Sequence, residues 1–152
     1  RRQNPGKVIS ELQKTDKKIE LIKARHVIEH VNDLKKTIKQ LRKLLNENGH
    51  MIITLPNHQS YDASIYKEHW AAYDVPRHLY HFNKTSILEF CRRFKFSLVN
   101  TVPMVFDSYY VSLLSERYRK GSFMNAFKNG YLSNKKARKS GEYSSLIYIL
   151  KK

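Results

Sequence analysis

The stretch from Ile19 to Pro56 constrains the fold most, because it sets one amphipathic segment between two short apolar runs. The first run is Ile19, Leu21 and Ile22. In "NDLKKTIKQLRKLLNENG", Leu34, Ile38, Leu41 and Leu45 recur at helical spacing, with Asn32 or Asp33 as the start signal and Gly49 as the stop. This predicts a helix from Leu34 to Asn46. The following "HMIITLPN" is a continuous apolar run closed by Pro56, the pattern of a strand covered on both faces of a parallel sheet. Strand, helix, strand is a crossover unit, so the fold class is α/β.

The rest of the chain extends that unit. Val8, Ile9 and Leu12 predict a short helix ahead of it, separated by the polar Thr15 to Lys18 break. Downstream, "NKTSILEFCRRF" opens with Asn83 or Ser86 as cap and puts Ile87, Leu88, Cys91 and Phe94 on one face, which predicts a second crossover helix over Lys84 to Phe94. That helix feeds a strand near Leu98. "SYYVSLLSERYRKG" reads as a helix within a 104–142 insertion, whose later part is basic and only partly helical. "SSLIYILKK", centred on Leu146, is a terminal strand with no crossover helix of its own, returning antiparallel at a sheet edge. The 152 residues suit one domain, and a three-layer α/β sheet is expected.

Charge narrows the partners. Lys and Arg number 29 against 13 Asp and Glu, a net charge of +16 that favours anionic partners. Between Arg117 and Lys139 the chain has basic residues and no acidic one, interleaved with Tyr118, Phe123, Phe127 and Tyr131. That mixture suits nucleic acid or anionic lipid through phosphate pairing and stacking, and it equally describes a solvated lysine-rich surface. The sole cysteine, Cys91, excludes an internal disulfide and a cysteine-built zinc site, and fits a reducing cytosol. No apolar stretch reaches the roughly 20 residues that span a bilayer, so no transmembrane segment and a cytoplasmic location are expected.

Two segments carry candidate chemistry. "HVIEH" spaces His26 and His30 four apart beside Glu29, the H-x-x-E-H order of some zinc hydrolases, for which Glu89 or Glu116 would be the third ligand. The motif follows a short strand instead of lying mid-helix, which opposes that reading, and no residue is assigned to a metal. "HWAAYDVPRHLYHF" gathers three histidines and the only Trp. Its purely structural reading pairs Asp74 with Arg77, sets the turn with Pro76 and plugs the core with Leu79 and Phe82. In an open parallel sheet, ligands bind outside the carboxyl ends of strands, where "KARHVIEH" and "PNHQSYD" would share a crevice.

The order Glu20-Leu-Ile-x-x-x-His-Val-Ile-Glu-His-Val, Leu44-Leu-x-x-x-Gly-x-x-Ile-Ile-x-Leu-Pro-Asn, His69-Trp and Asp74-Val-Pro-Arg-His-Leu-x-His-Phe resembles class I S-adenosylmethionine-dependent methyltransferases. It is most similar to a bacterial subgroup with H-V-L-E-H and D-x-P-R-H-L-x-H-F segments. The resemblance runs from about Ile19 to Leu150 and implies a Rossmann-like sheet whose last strand is antiparallel, with S-adenosylmethionine as cofactor and an unidentified methyl acceptor. Such domains open with a glycine-rich turn that cradles the cofactor. No two of Gly6, Gly49, Gly121, Gly130 and Gly141 lie close enough to form it. The 1–152 chain therefore reads as one partial methyltransferase domain lacking its N-terminal strands, inactive or weakly cofactor-binding alone. The Ile19 strand would then need the Arg1 to Lys18 segment or a second copy, as a homo-oligomer, to cover its edge.

The resemblance also implies roles. His78 or His81 is the candidate catalytic base, and Arg77 clamps an anionic group of the substrate. Asn57, Trp70 and Tyr73 complete substrate binding, while His26 lines the cofactor and acceptor pocket. Residues His69 to Phe82 would form a lid, with Trp70, Tyr73 and Tyr80 facing a cavity. A basic module without enzymatic activity, working through Arg117 to Lys139, is the alternative.

Overall fold

A computed structural model of the protein describes residues 18–152. β1 (Ile19–Arg25) runs parallel to β2 (Leu45–Pro56), with Ile22 opposite Met51 and Ala24 opposite Ile53. Between them lies α1 (Leu34–Leu44), begun by the Asp33 carboxylate accepting from the Lys36 N–H at 2.8 Å. α3 (Lys84–Phe94) is the second crossover helix, and leads to β3 (Ser97–Pro103). Its start is a full capping box, in which Asn83 and Ser86 each bind the other's backbone N–H. Both crossovers advance across the sheet in the same direction, so their common handedness puts α1 and α3 on one face.

That face is the core. Ala24, Met51, Ile53, Leu55, Leu146, Tyr148 and Leu150 are buried there with Ile38, Leu41 and Leu44 of α1 and Ile87, Phe90, Cys91 and Phe94 of α3. Alternation along the strands follows, since successive side chains point to opposite faces. On the other face Ile52, Ile147 and Ile149 are only half-buried and Leu21 is exposed. The expectation that β2 is fully covered on both faces therefore holds for one face among the described residues.

β4 (Ser145–Lys151) is antiparallel, as expected, but not at an edge. The order is β1-β2-β4-β3, so β4 inserts between β2 and β3 and pairs with both. Its residues alternate apolar on both faces, which suits a central strand. α1 stops at Leu44, earlier than the predicted Asn46. Register jumps from Ile19 opposite Leu45 to Leu21 opposite His50, so Asn46 to Gly49 bulge out of β2 and Gly49 belongs to the strand, not to a helix stop. The helix expected at Val8 to Leu12 lies outside the described residues.

A second, smaller cluster is helical. α2 (Tyr61–Tyr66), α4 (Asp107–Tyr118) and α5 (Phe123–Ser140) surround Ala63, Tyr66, Trp70, Ala71, Ala72 and Val111. α5 is one continuous helix, so the expectation of a partly helical segment is corrected. Its buried positions are the small or polar Ala126, Gly130, Ser133, Asn134 and Ala137. Small residues let it approach α4 closely: a Cβ on Gly130 would stand 2.9 Å from Tyr109 Cα.

Candidate functional site

At the carboxyl end of β1 the chain turns sharply. His26 adopts a left-handed φ of 49° while its N–H donates to Thr54 O at 3.3 Å, tying the turn to β2. A single 3-10 turn, Ile28–His30, follows. Ile28 enters the core, and one residue on, Glu29 is carried inside with it and is fully buried.

The second segment closes over this turn. Asp74 is also left-handed, and a cis peptide joins Val75 to Pro76. Leu79 N–H donates to Glu29 O at 2.7 Å, and Tyr80 Oη donates to Asn32 O at 3.3 Å. His30 Nδ1 meets Arg77 O and His78 Nδ1 meets Ala72 O, both at 2.9 Å. Since a carbonyl only accepts, each Nδ1 carries a proton and donates it to the backbone, which leaves Nε2 on the other side of each ring. The two rings meet edge to face, their centroids 4.6 Å apart.

Charge around these rings is acidic. Glu29 Oε1 lies 3.3 Å from His26 Nδ1 and 3.9 Å from His78 Nε2, and Asp74 Oδ2 lies 3.8 Å from the same nitrogen. Glu29 Oε2 has no hydrogen-bond partner among the described residues. Burial lowers the pKa of His78 against the raising effects of its Ala72 bond and of Glu29 and Asp74. Burial likewise lowers that of His81, assisted by His78 and His58. Neutral rings follow at pH 7, each with a basic nitrogen.

Residues 2–101 match the family model of a methyltransferase domain. The chain belongs to this family. No curated protein matches it. Among solved structures, it is similar to an S-adenosylmethionine-dependent methyltransferase of Thermotoga maritima, at 14% identity and a TM-score of 0.58, covering 93% of this chain and 61% of that one. It is also similar to a cyclopropane synthase of Mycobacterium tuberculosis, at 11% identity and a TM-score of 0.53, covering 93% and 58%. The likeness is one of fold, and the chain spans about three-fifths of the length of these structures.

Within this methyltransferase domain the sequence-derived candidates separate into two groups. His26, His78 and the backbone of Arg77 come together at the end of β1, whereas the Tyr73 ring packs edge to face on Trp70 at 5.0 Å, at the margin of the helical cluster. Arg77 is exposed and its Nε donates to Asp74 at 3.0 Å, so the expected pair is present. His81 is exposed, its ring edge to face with Tyr73 at 5.1 Å. Phe82 plugs the core as expected, whereas Leu79 is half exposed and does not.

Trp70 and Asn57 are elsewhere. Trp70 faces no cavity: it is 2% exposed, and its indole N–H donates to Asp62 Oδ2 at 2.8 Å, which makes it a core residue. Asn57 is buried, and its amide donates to Glu142 Oε2 at 2.8 Å and Tyr143 O at 3.1 Å, pinning β2 to the lead into β4. Tyr80 packs on the main core, apart from Trp70. Glu89 pairs with Arg92 on the exposed side of α3, and Glu116 is buried with Tyr66, so neither reaches His26 or His30.

Sequence reasoning noted Glu29 beside the two histidines but gave the residue at the centre of the cluster no role of its own. The available signal was a lone acid in the apolar run Val27-Ile28-Glu29, which must be carried inside with its neighbours. Sequence reasoning missed Asp62. That buried carboxylate takes Ser133 Oγ at 2.6 Å on one oxygen, and the Trp70 indole and Ser144 Oγ on the other.

Among the described residues no helix is long and apolar enough to cross a membrane. The basic segment shows as exposed aromatics on α4 and α5, namely Tyr118, Phe123, Phe127 and Tyr131, with Lys135, Lys136, Arg138 and Lys139 exposed on α5.

Proposed function

We propose that this chain is the acceptor-binding portion of an S-adenosylmethionine-dependent methyltransferase, and that alone it holds the cofactor weakly or not at all. The observation that carries the reading is the closure of the Asp74 to His81 segment onto His26 to His30, at the carboxyl end of a parallel strand where open α/β sheets take ligands. The described glycines do not supply a cofactor cradle. Gly49 lies in β2, Gly121 and Gly130 serve the packing of α4 and α5, and Gly141 caps α5 with a φ of 74°.

His81 is then the proton acceptor for a protic methyl acceptor. Of the two candidate bases it is the exposed one, while His78 is walled in by Glu29, His30 and Ala72. Tyr73 supplies an aromatic wall, and Arg77, exposed beside it in sequence, faces an anionic group. His26, at the carboxyl end of β1, is assigned to the cofactor and acceptor side. The unpaired Cys91 suits a cytoplasmic setting.

Calorimetry of the 152-residue chain with S-adenosylmethionine tests the first part, with no micromolar binding expected. Micromolar binding would show that another part of the chain replaces the cradle. For the second part, His81→Ala in any form of the protein that transfers methyl groups lowers kcat by about 10²–10⁴-fold, the range of a lost general base. An unchanged kcat refutes that assignment.

The exposed aromatic and basic face of α4 and α5 supports one further role, contact with a polyanionic acceptor or surface through Arg117 to Lys139. Retention on RNA or anionic vesicles that falls steeply with salt, and disappears when Lys135, Lys136, Arg138 and Lys139 are neutralised, is the expected result. Retention unaffected by those four changes refutes it.

A further inference from the structure

We infer that Glu29, His30 and His78 form a binding site for one first-row divalent metal ion, of the class of Zn²⁺ or Co²⁺. A ligating atom of each residue lies within 4.8 Å of those of the other two, close enough for one ion to bind all three after small side-chain shifts. They come from two parts of one tight assembly: Glu29 and His30 from the 3-10 turn, and His78 from the segment stapled over it, 48 positions after His30.

Three independent features fit a metal better than a hydrogen-bonded core. Glu29 is fully buried, yet its Oε2 has no partner among the described residues, so a carboxyl oxygen is held out of water with nothing to meet. Both imidazoles donate Nδ1–H to backbone carbonyls, Arg77 O and Ala72 O. This is the outer-shell arrangement that fixes a metal-bound histidine's ring and tautomer and turns Nε2 towards the ion. The charge around the cluster is also of the right sign. Asp74 Oδ2 lies 3.8 Å from His78 Nε2 and Glu29 Oε1 lies 3.9 Å from it, a local acidic field inside a chain of net charge +16. Such a chain repels cations generally, so a stoichiometric cation must have a dedicated site.

Two imidazoles and one carboxylate suit borderline first-row ions rather than Mg²⁺ or Ca²⁺, which prefer all-oxygen sites. Three protein ligands leave at least one position for water or an oxygen of a second molecule. Resting on the acceptor-binding role proposed above, that molecule is an acceptor bearing a hydroxyl, enolate or carboxylate oxygen. The metal would orient that oxygen while His81, outside the cluster, takes the proton. His26 holds the other side of Glu29 through Nδ1 and acts as a positioning residue. The ligand set differs from the H-x-x-E-H hydrolase pattern, because its second histidine comes from the distant segment and the Glu itself ligates.

Titration of the chelator-treated chain with Zn²⁺ by calorimetry, and with Co²⁺ by visible absorption and histidine NMR, decides the matter. One equivalent of each is expected, with paramagnetic Co²⁺ shifting or broadening His30 and His78 but not His58 or His69. His30→Ala and His78→Ala should weaken binding by more than the roughly 10–100-fold that loss of an outer-shell partner costs, while His69→Ala leaves it unchanged. Failure of the wild-type chain to bind either ion overturns the site, as does binding that survives both substitutions or a Co²⁺ effect centred on other histidines. Should a substituted chain fail to fold, the NMR effect on the wild type still locates the ion. Methyl transfer that persists in a protein stripped of metal would remove the metal while leaving the acceptor-binding role standing, so the two fail separately.

Discussion

Among the described residues, acidic side chains are buried in two places, and they are finished differently. In the helical cluster, Asp62 accepts from Ser133, Trp70 and Ser144, and Glu116 accepts from Tyr66 at 3.0 Å. At the end of β1, Glu29 keeps one buried oxygen with no partner among the described residues and faces His26 and His78. Satisfied networks specify a core, whereas an unsatisfied buried group costs stability and persists where something else is gained. For the carboxylates, the difference is what the proposed roles rest on: architecture for Asp62 and Glu116, ligand binding for Glu29.

The strongest challenge to that contrast is Trp70→Ala. It opens a cavity and strips Asp62 of a donor, and should destabilise by about 3–5 kcal/mol, read as a fall in the denaturant midpoint. A midpoint near the wild type's would mean that the helical cluster is not a core. Gly130→Ala comes next, since the added Cβ would meet Tyr109 Cα at 2.9 Å and Cδ1 at 2.7 Å. Overpacking of this kind costs about 1–3 kcal/mol, and it should leave metal binding at the β1 end unchanged. Ser133→Ala leaves Asp62 Oδ1 without its only hydrogen-bond donor among the described residues, a loss of about 1–3 kcal/mol by the same measurement. The smallest effect is on Cys91, which lies in the main core, where burial pushes its thiol pKa up. Alkylation of the native chain near pH 8 should be slow and become fast on unfolding. Equal rates in both states would show that the sheet's core opens readily.

How much of this was legible in the sequence follows from the range of the interactions involved. α1 and α3 were readable because their apolar residues repeat locally and Asn83 and Asp33 mark their starts. α5 was less so, because it buries Ala126, Gly130, Ser133 and Ala137, small residues at helical spacing that a search for large apolar side chains passes over. The insertion of β4 between β2 and β3 depends on pairing across the whole sheet, which no local pattern records. His26 and His30 looked like one helical face, yet His26 takes a left-handed conformation and the turn is 3-10, so spacing alone misplaced them. Trp70 looked like part of a lid for a similar reason. Its partner Asp62 stands outside the motif that drew attention to it, and that contact buries the indole.

Parallel thermal unfolding of the metal-free Glu29→Gln and Asp62→Asn variants tests the contrast most directly. Both changes remove a buried charge and keep the shape. Glu29→Gln retains the oxygen that faces His26 and changes only the oxygen that has no partner among the described residues, so it should melt at or above the wild type. Asp62→Asn sets an amide donor among three existing donors and should lose at least about 2 kcal/mol. A Glu29→Gln variant that falls as far as Asp62→Asn would contradict the account, because Glu29 would then be part of the scaffold.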